Sequence, residues 1–237
     1  MNFFQTRRQI VLGIALLVLI ASLFYGALNK PKMGTGTPDD LVTEQEIDID
    51  EPTKFIFTNR VAVFQAALAA QEDFEEMTGQ RKDWDLYMEI ASNAIMYGDL
   101  ATARQAYEDM LQLNPLHIVG WGNLGNVLVD MHDYEAALDA YSQVIDMNPT
   151  EAAYRNYIRV LEYPETGDRD DEVKEMLDAG VANVGQTSWF MVNLAEWYVR
   201  HGECDQAFAH YEVAQDVAPE LESITKDYEE AKQTCGK

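Results

Sequence analysis

The chain has 237 residues, enough for one ordinary domain with accessory segments. Its formal charge is -24, and from Met33 onward 13 basic residues face all 41 acidic ones, the other four bases being Arg7, Arg8, Lys30 and Lys32. Such a surface repels nucleic acid and anionic lipid, whose phosphates bind through cations, and it favours a basic protein partner. Two cysteines, Cys204 and Cys235, leave no dense disulfide framework and no C-x-x-C zinc pattern.

The first predicted element is an uncharged run, IVLGIALLVLIASLFYGAL, from Ile10 to Leu28. At about 1.5 Å per residue it spans a hydrocarbon core of about 30 Å. A cleaved signal peptide ends in a small-x-small site, whereas Tyr25, Leu28 and Asn29 stand where small residues are wanted. Residues 1–32 are therefore expected to be an uncleaved single-pass anchor. Arg7, Arg8 and the amino terminus slightly outweigh Lys30 and Lys32, which places the N-terminus in the cytoplasm and the rest outside. Ser22-x-x-x-Gly26 is a small-xxx-small pair of low weight for helix association.

Residues 33–57 are rich in Gly, Thr, Pro and acids and lack a sustained helical period, so they read as a flexible acidic linker. A helical domain over 58–237 follows. Its first helix, between Asn59 and Met77, carries Val61, Phe64, Leu68 and Phe74 at helical spacing and is expected to cap what comes next.

The strongest pattern is internal repetition. GDLATARQAYEDMLQLNP (Gly98 to Pro115) aligns with HDYEAALDAYSQVIDMNP (His132 to Pro149), and again with GECDQAFAHYEVAQDVAP (Gly202 to Pro219). Ala103, Ala137 and Ala207 keep one register, as do Tyr107, Tyr141 and Tyr211, and the three closing prolines. Upstream of each lies Tyr87-x2-Ile90-Ala91, Trp121-x2-Leu124-Gly125 or Met191-x2-Leu194-Ala195. These residues resemble the tetratricopeptide repeat, with its W-x2-L-G-x2-Y, A-x3-F and P landmarks. The resemblance implies an all-α fold, a right-handed α-solenoid of helix pairs, after the N-terminal transmembrane helix. It places repeats at about 84–117, 118–151, 152–187 and 188–221, with a capping helix over 219–235. The third copy is degenerate, lacking the Gly/Ala and proline landmarks, with helices expected over Glu151–Glu162 and Asp170–Ala179 and a long turn at Tyr163–Asp168. If the last helix pair and the cap turn at Pro219, Cys204 and Cys235 emerge at one end, where a disulfide suits an oxidising compartment; two free thiols are the alternative.

No residues offer catalysis. His117, His132, His201 and His210 lie in no ligand spacing, and phosphate loops, nucleophile elbows and calcium loops are absent. Asp168, Asp170, Asp171 and Glu172 read as an acidic helix start, which the helix dipole favours. No cofactor, metal or small-molecule substrate is expected, and no enzyme activity. In such arrays the first helix of each pair lines a concave groove. The stripe expected there is Asp85, Met88, Glu89 and Ser92; Val119, Gly122, Asn123 and Asn126; Ala153, Asn156, Tyr157 and Val160; and Trp189, Val192, Asn193 and Glu196. Asn123, Asn126, Asn156, Tyr157, Trp189 and Asn193 are the candidate partner-binding residues, amides for a peptide backbone and aromatics for an apolar side chain. The carboxylate clamp used by relatives that grip chaperone tails is matched only by Asn123. The expected function is a membrane-anchored adaptor binding a protein or peptide, in envelope assembly or secretion; structural self-association is the alternative.

Overall fold

The computed structural model describes residues 41–78 and 84–236, with backbone alone for 70–78 and 84–85. The Ile10–Leu28 anchor, residues 33–40 of the linker and the Asp85 and Phe74 side chains lie outside what is described. Among the described residues no helix is long and apolar enough to cross a membrane.

Among the described residues ten α-helices follow one another: α1 (Glu51–Thr78), α2 (Trp84–Tyr97), α3 (Leu100–Leu113), α4 (Ile118–Asp130), α5 (Tyr134–Met147), α6 (Glu151–Leu161), α7 (Asp170–Val184), α8 (Ser188–Arg200), α9 (Cys204–Val217) and α10 (Glu222–Thr234). Each packs on its sequence neighbours, and α10 also reaches α8. This is a solenoid of antiparallel pairs, α2/α3, α4/α5, α6/α7 and α8/α9, closed at one end by α10.

The helix boundaries follow from local chemistry. The Asp99 carboxylate accepts the Thr102 N–H at 2.9 Å, and His117 Nδ1 accepts the Gly120 N–H at 2.9 Å. Thr150 and Thr187 hydroxyls cap α6 and α8 in the same way, each satisfying a donor that the first turn leaves unpaired. The turns inside three of the pairs each use one left-handed residue, Gly98 (φ 89°), His132 (φ 62°) and Gly202 (φ 73°).

The core is the repeated register itself. Ala103, Ala137 and Ala207 are fully buried, with Tyr107, Tyr141 and Tyr211 wedged beside them. A side chain at Gly125 would meet the Tyr141 ring at 2.7 Å, so the absence of a Cβ lets α4 and α5 close on the aromatic. In the degenerate pair Val173 and Leu177 fill the corresponding inward places on α7. There Gly180 makes room for the Phe190 ring of the next helix, and Asn183 donates to the Tyr154 hydroxyl at 2.7 Å. One boundary of this pair differs from expectation. α7 runs on to Val184 rather than Ala179, because nothing breaks it before Gly185 (φ 110°). Helix starts fall at 84, 118, 151, 188 and 222, and the lengthening before 188 is taken up by a 3-10 turn at Pro164–Thr166.

The linker is the larger correction. α1 begins at Glu51, within the stretch expected to be a tether, because the Asp50 carboxylate accepts the Thr53 N–H at 2.7 Å and Pro52 suits a first helical turn. Just before it the chain is bonded to the solenoid. Val42 donates to the Met131 carbonyl (3.0 Å), Gln45 donates to Gly98 (2.8 Å), and Thr43 accepts from Ala101 (3.1 Å). Residues 42–45 thus form a strap across the turns of the first two pairs. Any Cβ at Gly98 would collide with the Gln45 carbonyl oxygen, so that glycine serves both its left-handed turn and the strap.

The far end is closed covalently. Cys204, which opens α9, and Cys235, at the end of α10, form a disulfide with Cα atoms 6.1 Å apart. With the cysteines 31 positions apart in sequence, the chain-entropy account gives about 3.5–4 kcal/mol of stabilisation. α10 buries Ile224, Tyr228 and Ala231 and turns acids and lysines outward, as a terminal cap must.

Candidate functional site

The first helices of the pairs lie side by side, and between α6 and α8 they leave an open cleft of about 460 Å³. Ala152, Arg155, Asn156, Arg159 and Glu162 of α6 line it, with Trp189 and Asn193 of α8 opposite. The α6 positions recur every three or four residues, so one helix face supplies the whole wall. Trp189 is held from two sides. Its ring meets Phe190 edge-on at 5.3 Å, and the Arg155 guanidinium lies 5.2 Å from its centroid. Asn193 donates back to the Trp189 carbonyl at 2.7 Å, which fixes its amide and leaves its oxygen to accept.

Three of the candidate residues, Asn156, Trp189 and Asn193, come together in this cleft. Asn123 and Asn126 belong to the neighbouring stretch of the groove on α4, and both are engaged with tyrosines. Asn126 accepts the Tyr141 hydroxyl at 2.6 Å. Tyr107 lies within hydrogen-bonding reach of Ser92 and Asn123, and its burial pushes its hydroxyl up. Tyr157 lies elsewhere. Its hydroxyl donates to Glu172 at 3.2 Å, and burial, then the Glu172 carboxylate, push its pKa up to about 12. Ala153 and Val160 of the expected stripe are buried in the core. On α6 the groove face is therefore displaced by about one residue from the expected one.

The groove floor has a built-in spacing. Ser92 with Tyr107 and Asn126 with Tyr141 each place a groove residue fifteen positions before a buried tyrosine. Glu196 and Tyr211 stand in that relation too, and Glu196 raises the Tyr211 pKa, which burial, first, and then that carboxylate bring to about 12. Burial also raises Asp130, Glu162 and Glu196, the last further through Asp227. One end of the groove thus holds carboxylates that are costly to ionise, while its centre holds guanidinium groups.

Arg155 and Arg159 are the functional candidates that sequence reading passed over. The available signal was their spacing: two arginines four apart on one first helix, in a chain so rich in acids. Among the described residues no group of three His, Cys, Asp or Glu is arranged to hold a metal. Two of the acids at 168–172, Asp170 and Glu172, are held by cations. Arg169 bridges Glu135 (2.6 Å) and Glu172 (2.8 Å), and Asp170 takes Arg200 (2.9 Å) and His201 (3.2 Å).

The tetratricopeptide repeat profile matches residues 118–151. The structure resembles that of the MamA protein, with 19% identity and a TM-score of 0.51, over 65% of this chain and 82% of that one. It also resembles the C-terminal part of a TPR repeat-containing protein from Cytophaga hutchinsonii, with 12% identity and a TM-score of 0.53, over 77% and 70%. At these identities the likeness speaks to the fold, a tetratricopeptide-type α-solenoid. No curated protein matches the chain in sequence.

Proposed function

We propose that the chain is a non-enzymatic adaptor whose groove binds an extended segment of a partner protein. The observation that carries this reading is the α6–α8 cleft. It lines an open trough with amides (Asn156, Asn193), guanidinium groups and the Trp189 ring. Amides and guanidinium groups meet the donors and acceptors of an extended backbone, and a fixed indole holds an apolar side chain. In this reading residues 10–28 anchor the protein in a membrane, and the repeats act on its outer face in envelope assembly or secretion. The Cys204–Cys235 bridge supports that side, since disulfides persist in oxidising compartments.

The test is affinity capture from solubilised membranes with the full-length chain, beside an Asn156→Ala, Asn193→Ala variant of unchanged melting temperature. A partner retained by wild type and lost by the variant is the expected result. A partner held equally by both places the working surface outside this cleft and overturns the reading.

A further inference from the structure

The chain has an excess of acids over bases, so a cation on its surface has many potential partners. Among the described residues from 84 onward, Arg104, Arg155, Arg169, Lys174, Arg200, Lys226 and Lys232 each lie within ion-pair distance of a carboxylate. Arg159 is the exception. It is exposed on the groove wall, beside the Tyr141 hydroxyl, and the Asp130 and Glu162 carboxylates of the groove stand beyond ion-pair distance. One turn earlier Arg155 projects into the same cleft, half-exposed and paired with Glu151 at 3.3 Å. Like charges four residues apart cost a helix a few tenths of a kcal/mol, and the fold sets Glu151 beside Arg155 and the more distant Asp130 carboxylate towards Arg159 against that cost. The Tyr141 hydroxyl donates its proton to Asn126, so Arg159 meets only the accepting side of that oxygen.

We propose that this pair of arginines receives side-chain carboxylates of an acidic, extended segment within the partner protein. The inference rests on the groove reading and adds the chemistry of the occupant. The net charge of the chain favours a basic partner at a distance, but at physiological ionic strength that field decays over about 8 Å. Contact inside the cleft is decided by the groups that line it. A guanidinium forks onto a carboxylate with two parallel hydrogen bonds, and Asn156 and Asn193 flank the position with amide donors. The Glu162 carboxylate bounds the cleft about one turn beyond Arg159 and repels a second acidic group there. The acidic residues are therefore read at the Arg155–Arg159 end only.

The experiment uses the full chain in detergent and two fluorescein-labelled peptides capped at both ends, one alternating Glu and Ser, the other Lys and Ser. Anisotropy is read at physiological salt. The Glu peptide is expected to bind better than the Lys peptide, and Arg159→Glu is expected to weaken it by at least about tenfold, the loss of one charge-assisted contact. Lys226→Glu on the exposed face of α10 changes the net charge identically and is expected to leave binding unchanged. Preference for the Lys peptide, or an equal loss in both variants, overturns the inference and leaves the groove reading standing. Failure of the Glu peptide to bind overturns it too, while the capture experiment still decides the groove.

Discussion

The α4/α5 and α6/α7 pairs are built to the same plan with different parts. In α4/α5 the wedge is Tyr141, fully buried, seated against Gly125 and tied to Asn126 at 2.6 Å. In α6/α7 its place is taken by Leu177, which has no hydroxyl. The polar contacts move to the edges, where Tyr154 meets Asn183, and Tyr157 meets Glu172 and the Arg169 network. Two consequences follow. The regular pair uses its groove asparagines to satisfy its own core, whereas the degenerate pair leaves Asn156, Arg155 and Arg159 to the cleft. Departure from the repeat pattern is thus where the groove gains residues that packing does not consume.

The sharpest way to break this comparison is to remove the two wedges. Tyr141→Ala is expected to cost about 3–5 kcal/mol and Leu177→Ala about 2–5, read by urea denaturation of the full chain. Equal losses from Tyr141→Phe and Tyr141→Ala would show that the hydroxyl bond to Asn126, rather than the ring, holds the regular pair. Next in size is the Cys204–Cys235 bridge, which lies outside both pairs. Its reduction, or Cys204→Ser with Cys235→Ser, is expected to lower stability by about 3–4 kcal/mol and to free α10 first in hydrogen exchange. Uniform loss of protection across all helices would show that the cap is not a separate unit.

The smallest effect tests the edge contacts of the degenerate pair. Tyr157→Phe is expected to cost about 0.5–1.5 kcal/mol at neutral pH. Its pKa is raised in the fold, so its contribution is fully present below pH 10 and is lost as the pH rises towards about 12. Alkaline unfolding of the variant should be less steep over that window. Asp130, Glu162 and Glu196 are raised as well, so their contribution is full in the ordinary carboxylate range and lost above it, and acidification from neutral pH towards that range is expected to raise the melting temperature. A fall would mean that ion pairs such as Arg169 with Glu135 and Glu172 dominate.

How much of this was legible follows from which residues repeat. The helix pairs could be read from Ala103, Ala137 and Ala207 and their tyrosines, because a small residue and a wedge at fixed spacing force two helices together. The asparagines could be picked out as polar positions on the first helices. Their engagement could not, since the fifteen-residue spacing from Asn126 to Tyr141 acquires meaning only once the helices fold back. The α6 stripe was displaced because α6 starts at Glu151, 33 residues after α4 starts at Ile118, so a reading in steps of 34 falls one residue late. The strap was illegible for a different reason: Val42 to Gln45 bond through their backbone, which leaves no trace in side-chain pattern.

The sequence by itself determined the architecture, a stack of helix pairs with a polar last helix and two cysteines placed to clip it. It did so because periodic burial and close approach are written in residue size and spacing. Tertiary structure alone decided which side chains the packing consumes and which it leaves over. That depends on what each helix meets across its neighbours, and there Tyr157 is spent on Glu172 while Arg159 is left facing the groove.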